Sequence, residues 1–501
     1  MRLDVALVLA VILTLAGCPA RTHATPAAVP IPSGGVRGAA VPIPSGIVDP
    51  PPHYQRYRRD EYPKALPFFQ WWYFWVKDVA SDEHYAFAYS MTSENNERAQ
   101  PSARAADAPP VPETGGYGLF AHVADGKHFA KTVQFPLDDL HVDNLFDFNI
   151  NKANSGNASA CFLTMEQQGD HGVLLQGSMP GSQHVWYSSG GDPSTSVSWK
   201  LNFTRVRGFY GQPEFELPDK LFPVIMWNTW AHLATVTGTI MVGGKQVTVD
   251  GSFRAYGDMN WGTGFPEPPP SEPDNYEEYH WGWYALSSLT DVFARDTRLA
   301  SHLDEMSLIV GIGRTWAGFP FEEMAAQFGD IELGDSCTLM DHCSTRAVKI
   351  AIDKSTKYPL PFEGTNDGAV RAFSANQSAW TNFTDDFGTA RLPLSQTVIL
   401  ETDHVRVEMV FASSPSQYVR LLFPHKDSLF SDFEALGTEV DLTLWLRAAK
   451  DAPWALHTNT TLPGGGLEFG YHVPATEAAA GLARAHSRAQ QWAPAHAIEQ
   501  K

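Results

Sequence analysis

Residues 235 to 252 read TVTGTIMVGGKQVTVDGS, and this stretch decides the fold class. Apolar or β-branched residues alternate with polar ones on both sides of Gly243-Gly244, a period of two that is typical of strands. Two glycines at such a position favour a tight hairpin turn, because both can adopt positive φ angles. The stretch therefore predicts two antiparallel strands joined by a two-residue turn.

Segments of the same kind recur along the chain on both sides of this hairpin. Short runs rich in aromatic and β-branched residues, bounded by turn residues, are typical of strands. Examples are FFQWWYFWVKDV, AFAYSMTSE, FAKTVQFPL, VSWKLNFTRV, MSLIVGIG, AVKIAI, QTVILET, VRVEMVFA, YVRLLFP and VDLTLWLRA. Because helices do not alternate with these runs, the sequence predicts an all-β fold of antiparallel barrels or sandwiches, formed twice. Only TEAAAGLARAHSRAQQW, residues 476 to 492, predicts a helix, with a Thr cap at its start.

Composition limits the class of protein. The chain has 501 residues, enough for two or three domains of about 150 residues each. Hydrophobic residues make up 43% and charged residues 18%, which is typical of a globular protein. Aromatic residues reach 12%, which favours aromatic-lined cavities. The 36 basic and 56 acidic residues leave a net charge of −20, which argues against a nucleic-acid partner.

The N-terminus predicts export. Residues 1 to 24 begin with Arg2, an apolar run and then small residues, the pattern of a secretory signal peptide. Residues 25 to 55 follow as a Pro- and Gly-rich linker. Two processing routes remain open: lipidation of Cys18 in a bacterial lipoprotein box, or cleavage after Ala20 or Ala24. Both predict a secretory or extracellular location. No stretch reaches the ~18 apolar residues of a membrane-spanning helix, so no integral span is expected.

Asparagine sequons and cysteines add to the expectation of an exported protein. Five N-x-S/T sequons predict glycosylation: Asn157, Asn202, Asn376, Asn382 and Asn459. Cys337 and Cys343 enclose a short loop and predict a disulfide in an oxidising compartment. Cys161 is interpreted as a buried small hydrophobe, because no local group would favour its thiolate.

The segment FRAYGDMNWGTGFP, residues 253 to 266, concentrates polar groups among aromatics and glycines. Asp258 has two interpretations: a polar turn held by side-chain hydrogen bonds, or an acid in an aromatic pocket. A carboxyl group in an apolar pocket has a raised pKa, and aromatic faces stabilise a carbocation. The histidines lack the spacing of metal ligands, and no nucleophile elbow, phosphate loop or dinucleotide fingerprint is present. The chemistry is therefore expected to need no cofactor and no metal.

The same residues carry a resemblance to a known family. AYGDMNWGTGFP, residues 255 to 266, is similar to a segment of the tocopherol cyclases and carotenoid 1,2-hydratases (hydroxyneurosporene synthases, AttH-like). FQWWYFWVKD and FPVIMWNTWAHLATVTGTI resemble other segments of this lipocalin-like superfamily, which also includes fungal Diels–Alderases. The resemblance covers residues 60 to 290 and is thinner afterwards. It implies two lipocalin-like barrels, residues 56 to 265 and 276 to 475, followed by a helical tail at 476 to 501.

The resemblance also implies a function. We expect a monomeric, cofactor-independent cyclase or isomerase that acts on a hydrophobic polyene, prenyl or quinone-methide-like molecule between the barrels. Asp258 would protonate or polarise the substrate, with Tyr256 and Asn260 orienting it. The residues expected to line the pocket are Trp71, Tyr73, Trp261, His232, His280, Trp281 and Trp283. Two alternatives remain open: a hydratase that adds water to an alkene, and a secreted lipid-binding carrier.

This chain departs from the family pattern at two places. Where the hydratases have a His beside the key Asp, this sequence has Gly257 or Met259. The second carboxylate of the cyclases is Gln70 here. The missing His argues against a His-assisted acid. The secretory signal, in place of a plastid transit peptide, argues against tocopherol biosynthesis and indicates a different substrate.

Overall fold

The structure is a computed structural model in which part of the chain is described. The described residues are 68–78, 81, 83–93, 115–142, 147–151, 153, 159–169, 172–181, 184–207, 225–262, 281–287, 307–315, 324–332, 344–352, 362–365, 370–385, 387–402, 405–425, 428–447, 451–473, 480–481 and 483–484. The predicted signal peptide, linker and Cys18 lie outside these residues, as do Asn157, His280, Cys337 and Cys343.

The first sheet is antiparallel and contains thirteen strands. They are β1 Phe68–Asp78, β2 Glu83–Ser93, β3 Gly115–Ala124, β4 Lys127–Phe135, β5 Leu140–Val142, β6 Phe148–Ile150, β7 Phe162–Gln168, β8 Gly172–Met179, β9 Val185–Ser189, β10 Val197–Arg207, β11 Ile225–Val242, β12 Lys245–Val249 and β13 Phe253–Gly262. Their order is β5-β6-β7-β8-β10-β11-β13-β1-β2-β3-β4-β9, with β12 paired to β11. The first strand of this sheet in chain order, β1, therefore pairs with its last strand, β13, as in a sheet that curls on itself.

Ring contacts confirm that the first sheet curls around one of its own faces. Trp72 of β1 meets Phe148 of β6 edge-on at a centroid distance of 5.6 Å, although several strands separate β1 from β6. Phe87 of β2 and Trp199 of β10 are 5.1 Å apart. These side chains belong to one buried cluster. The inner face is thus occupied by large side chains, and their burial supplies the main stabilising term of this half of the protein.

The hairpin expected at residues 235 to 252 is confirmed. β11 and β12 pair from Gly238↔Val249 to Val242↔Lys245. Gly243 has φ 57° and Gly244 has φ 84°, the two positive values that a tight hairpin turn requires.

The second sheet is also antiparallel and contains eleven strands. They are β14 Trp281–Ser287, β15 Ser307–Thr315, β16 Met324–Glu332, β17 Ser344–Ile352, β18 Phe362–Thr365, β19 Val370–Asp385, β20 Gly388–Thr402, β21 Val405–Ala412, β22 Tyr418–His425, β23 Ser428–Leu446 and β24 Ala455–Val473. Their order is β18-β17-β16-β15-β14-β24-β23-β21-β20-β19, with β22 paired to β23.

The all-β prediction is confirmed, but two of its details need correction. Within the described residues neither sheet closes into a barrel: β5 and β9 end the first sheet without pairing with each other, and β18 and β19 end the second. The end strands of the first sheet offer little backbone for closure, because β5 has three residues and β9 has five. The predicted C-terminal helix is not seen as an element, since only 480–481 and 483–484 are described as helical there.

Two smaller observations complete the fold. No helix in the described part of the chain is long and apolar enough to cross a membrane. Cys161 is 4% exposed, and burial raises the pKa of its thiol to about 12, so it behaves as the buried hydrophobe that was expected.

The outer face of the first sheet packs against the second sheet. β1 alternates as its sequence predicts: Trp72 and Phe74 point into the curled core, whereas Trp71, Tyr73 and Trp75 point away from it. We call the cluster formed on this outer side the inter-sheet cluster. Its members are Phe69, Trp71, Tyr73, Trp75, Ala86, Ala88, Leu119, Ala121, Val123, Ala130 and Tyr256 from the first sheet, and Val419, Leu421 and Leu436 from the second.

Candidate functional site

Two neighbouring strands bring the predicted polar residues beside the aromatic row of β1. In the antiparallel pair β1–β13, Trp71 lies opposite Asn260, Tyr73 opposite Asp258, and Trp75 opposite Tyr256. Residues that lie directly opposite share a face of the sheet. The three polar residues of β13 therefore lie on the face that meets the second sheet.

Asp258 lies within β13 and not in a turn, so the turn interpretation is wrong. Its strand pairs with β1 on one side and β11 on the other. The side chain is 5% exposed. The Tyr256 hydroxyl donates to Asp258 Oδ2 at 2.7 Å, and the Asn260 amide donates to Oδ1 at 3.4 Å. Tyr256 is itself fully buried. The alternation of β13 thus places two donors beside one carboxyl group.

The strand on the other side of β13 is irregular opposite this carboxyl group. Between Asn228 and Ala231, and again between Ala231 and Ala234, β11 has one residue more than β13. Such β-bulges bend a strand and re-aim side chains, and they are frequent next to active sites. Asp258 lies opposite the first irregular interval, and His232 lies in the second.

The second sheet contributes a group of acids to the same interface. We call Asp432, Glu434 and Glu468 the acidic cluster; one carboxylate oxygen from each lies within 4.8 Å of the others. Glu434 of β23 lies directly opposite Glu468 of β24. The Tyr73 hydroxyl donates to Glu434 Oε2 at 2.6 Å, which joins the aromatic row of the first sheet to the acids of the second.

Burial and like charge both act on this cluster. Burial, followed by the charges of Glu468 and Glu434, raises the pKa of Asp432 well above its ordinary value. Burial and the charge of Glu468 likewise raise the pKa of Glu434, while the hydrogen bond from Tyr73 opposes this rise. Burial also raises the pKa of Tyr73, and the charge of Glu434 adds to it. The phenol of Tyr73 therefore stays protonated and acts as a donor.

The acidic cluster is the part of the site that sequence reasoning missed. A usable signal was present in SDFEALG, where acids at positions 432 and 434 share one face of a strand with Leu436. Acids at a period of two on an otherwise apolar face indicate a buried polar site, since carboxylates are rarely buried without a partner. Glu468 offered no comparable signal, because it reaches the cluster only through strand pairing.

The remaining predicted residues are distributed as follows. Trp261 lies in the core cluster of the first sheet, on the opposite face from Asp258. Trp281 and Trp283 lie in β14, where Trp283 is directly opposite Glu468. Of the sequons, Asn202, Asn382 and Asn459 are exposed, and Asn376 lies in β19.

Comparisons with known proteins give fold similarities only. No family model matches the chain, and no curated protein matches it. A crystal structure from Nitrosomonas europaea, provisionally described as AttH, has 12% identity and a TM-score of 0.38, covering 86% of this chain and 98% of that one. CghA in complex with Sch210972 has 9% identity and a TM-score of 0.35, covering 82% of this chain and 89% of that one. CghA solved alone has 9% identity and a TM-score of 0.33. AttH is also the name of the group that the sequence resembles. No activity is carried over from these similarities.

Proposed function

We propose that the chain is a cyclase or isomerase of a hydrophobic polyene, prenyl or quinone-methide-like intermediate, acting where its two sheets meet. The observation that carries the proposal is the setting of Asp258. Its carboxyl group is buried, bonded by Tyr256, and directly opposite Tyr73 in an aromatic row. A carboxyl group among rings suits an apolar substrate that develops positive charge, and it suits hydrolysis of a polar substrate poorly.

In the proposed mechanism the side chains supply the chemistry. Asp258 protonates or polarises a double bond of the substrate. The hydrogen bonds from Tyr256 and Asn260 fix the orientation of the carboxyl group, so that little reorganisation is needed during the reaction. The faces of Trp71, Tyr73 and Trp75 stabilise a developing carbocation by cation–π attraction. Loss of a proton, or capture by an internal nucleophile, then gives an isomer of the substrate.

The test is turnover of a panel of linear polyenes and prenylated quinols, followed by mass spectrometry in H₂O, D₂O and H₂¹⁸O. We expect one member to give a product in H₂O that has the same mass as the substrate. In D₂O this product should contain one deuterium. Asp258→Asn keeps the shape of the side chain but cannot donate this proton, and we expect it to lower kcat by ~10²–10⁴-fold. Binding, followed by tryptophan fluorescence, should persist in this variant.

Three other outcomes of this experiment would each indicate a different function. Uptake of ¹⁸O indicates a hydratase, and a bound compound recovered unchanged indicates a carrier. If the isomer contains no deuterium and Asp258→Asn forms it at the full rate, Asp258 does not act as an acid. Such a result would indicate a pericyclic reaction that the protein accelerates by positioning the substrate. Tyr256→Phe tests the orienting hydrogen bond, and it should lower kcat more than it changes binding.

A further inference from the structure

We infer that the acidic cluster of Asp432, Glu434 and Glu468 is a binding site for a divalent cation, with Ca²⁺ as the ion of best fit. The proposed function does not use this site, and the inference does not depend on that function. Three observations of the described residues carry it: unpartnered buried oxygens, a surplus of negative charge, and the spacing of the carboxylate groups.

The first observation is a pair of buried oxygens that have no hydrogen-bond partner. Asp432 is 4% exposed and Glu434 is fully buried, yet Asp432 Oδ1 and Glu434 Oε1 accept no hydrogen bond. Tyr73 binds the other oxygen of Glu434, Oε2, and so leaves Oε1 available. Buried polar atoms are nearly always paired, because an unpaired one loses its hydration without compensation. Two such atoms in one cluster indicate a missing ligand.

The second observation is the sign of the surrounding charges. Within the described part of the chain, the charged groups that act on Asp432 are Glu468, Glu434 and Asp258, and those that act on Glu434 are Glu468 and Asp258. All of them are acidic. Several carboxylates cannot all ionise in a low-dielectric interior without a positive charge among them. A divalent cation supplies that charge, and ionised carboxylates are its preferred ligands.

The neighbouring strand shows how this protein neutralises a buried charge elsewhere. Arg420 of β22 is 2% exposed, and its guanidinium pairs with Asp385 and donates to Ser431 Oγ at 2.5 Å. Arg420 is adjacent in sequence to Val419 and Leu421, which face the inter-sheet cluster, so its side chain points to the opposite face. The one buried arginine of this strand is therefore directed away from the acidic cluster.

The third observation is the spacing of the three carboxylate groups. Ca²⁺–oxygen distances of about 2.3–2.6 Å allow ligands on opposite sides of the ion to be roughly 4.6–5.2 Å apart. The three carboxylate oxygens fall within 4.8 Å of one another. Mg²⁺ requires oxygens on opposite sides of the ion to be about 4.2 Å apart, and it usually keeps several bound waters. Two buried ligands leave little room for those waters, so Mg²⁺ fits this site less well than Ca²⁺. Glu468 is only partly buried, and it gives the site an open side for entry and for remaining water ligands.

The competing occupant is a proton. Asp432 and Glu468 are close enough to share a hydrogen bond, so one proton could neutralise part of the cluster. A bound cation displaces that proton and ties β23 to β24, because Glu434 and Glu468 lie directly opposite each other on these strands. A bound cation therefore raises the thermal stability of the chain, whereas a shared proton makes the chain indifferent to added Ca²⁺.

The experiment is titration of the full chain with CaCl₂ or MgCl₂ after treatment with EDTA, followed by calorimetry and thermal unfolding. We expect Ca²⁺ to bind with one ion per chain and to raise Tm, and Mg²⁺ to bind more weakly. Glu434→Gln and Glu468→Gln should each weaken Ca²⁺ binding by roughly 10–100-fold or more, since each removes a charged ligand. Glu439→Gln, an exposed acid on the same strand, should bind Ca²⁺ like the wild type.

The result that would overturn the inference is a wild-type chain with no heat of binding and no shift in Tm for either ion. Equal Ca²⁺ binding by the wild type and Glu434→Gln would overturn it as well. Glutamine at position 434 retains an acceptor for Tyr73 and removes a buried charge, so this variant is expected to fold. Asp258→Asn removes a nearby negative charge but none of the three carboxylate groups of the cluster. It should therefore keep Ca²⁺ binding, weakened less than in Glu434→Gln, and lose the proposed reaction, which separates failure of the cation site from failure of that reaction.

Discussion

At the scale of single residues, Lys131 is a buried amine that the proposed site does not use. Its Nζ donates to the carbonyl oxygens of Met179 at 3.1 Å and Thr195 at 2.9 Å, and also to that of Gly181. Burial lowers the pKa of Lys131 to about 8. A lysine with a low pKa can be a nucleophile, but all three donors of this one are occupied by backbone carbonyls. Lys131 therefore holds the ends of β8 and β10 together.

Lys131→Met should lower the free energy of unfolding by about 2–4 kcal/mol, because the methionine stem fills the space but leaves the carbonyls without a donor. Urea unfolding measures this change. Lys200→Met, at an exposed position of β10, is the matched control and should change stability by less than about 0.5 kcal/mol.

The pKa of Lys131 also predicts a dependence on pH. The folded value of about 8 lies below the ordinary value of 10.5, so the unfolded chain binds this proton more tightly. The contribution of Lys131 to stability should therefore rise between pH 8 and 10.5 and be level outside this window. Lys131→Met should lack that rise, and identical slopes for both proteins would contradict the assignment.

At the scale of the elements, the pairing of β8 with β10 depends on a glycine. Gly177 lies directly opposite Trp199, and a Cβ at this position would overlap the indole ring. Trp199 in turn contacts Phe87 and stacks on Phe120 in the core of the first sheet. The missing side chain of Gly177 is what lets this ring lie over the strand.

Gly177→Val should lower the free energy of unfolding by roughly 1–3 kcal/mol or more, because it forces Trp199 out of its rotamer and disturbs the rings around it. Thermal unfolding by circular dichroism is the measurement. Gly251→Ala is the control, since no atom lies within 4 Å of a Cβ there. A Tm for Gly177→Val equal to that of the wild type would show that the core repacks without cost.

At the scale of the whole molecule, the two sheets share a buried apolar cluster. Val419, Leu421 and Leu436 of the second sheet are fully buried against the aromatic row of the first. The hydrogen bond from Tyr73 to Glu434 crosses the same boundary. Because this boundary buries both rings and carboxyl groups, stability and the candidate site depend on the same contact.

Leu421→Ala should lower the free energy of unfolding by about 2–5 kcal/mol, the range for a buried leucine that leaves a cavity. Tryptophans lie in both sheets, so a fluorophore attached through Lys200→Cys, at an exposed position of β10, is used to report whether a change in the second sheet reaches the first. We expect the fluorescence transition in urea to shift together with that seen by circular dichroism. Leu456→Ala, at a side chain that is 61% exposed, should shift neither transition. A fluorescence transition that does not move in Leu421→Ala would show that the sheets unfold independently.

The sequence by itself determined the all-β class, the Gly243-Gly244 turn and the two faces of β1. Alternation of side chains and the φ angles of glycine are local properties, so no knowledge of distant residues is needed to predict them. Once the structure shows that residues 253–262 form a strand, the same alternation accounts for Tyr256, Asp258 and Asn260 on one face and Trp261 on the other. The sequence did not predict that the sheets remain open in the described residues, because closure depends on how the end strands meet.

Only the tertiary structure decided what lies opposite Asp258. Tyr73 and Glu434 are 361 residues apart in the chain, and Glu468 reaches them through the pairing of β23 with β24. No local pattern relates such positions, since strand order and the packing of one sheet on another are set by burial over the whole molecule. The same burial raises the pKa of Asp432 and Glu434, whereas the sequence shows only that they alternate with apolar residues and not which groups surround them.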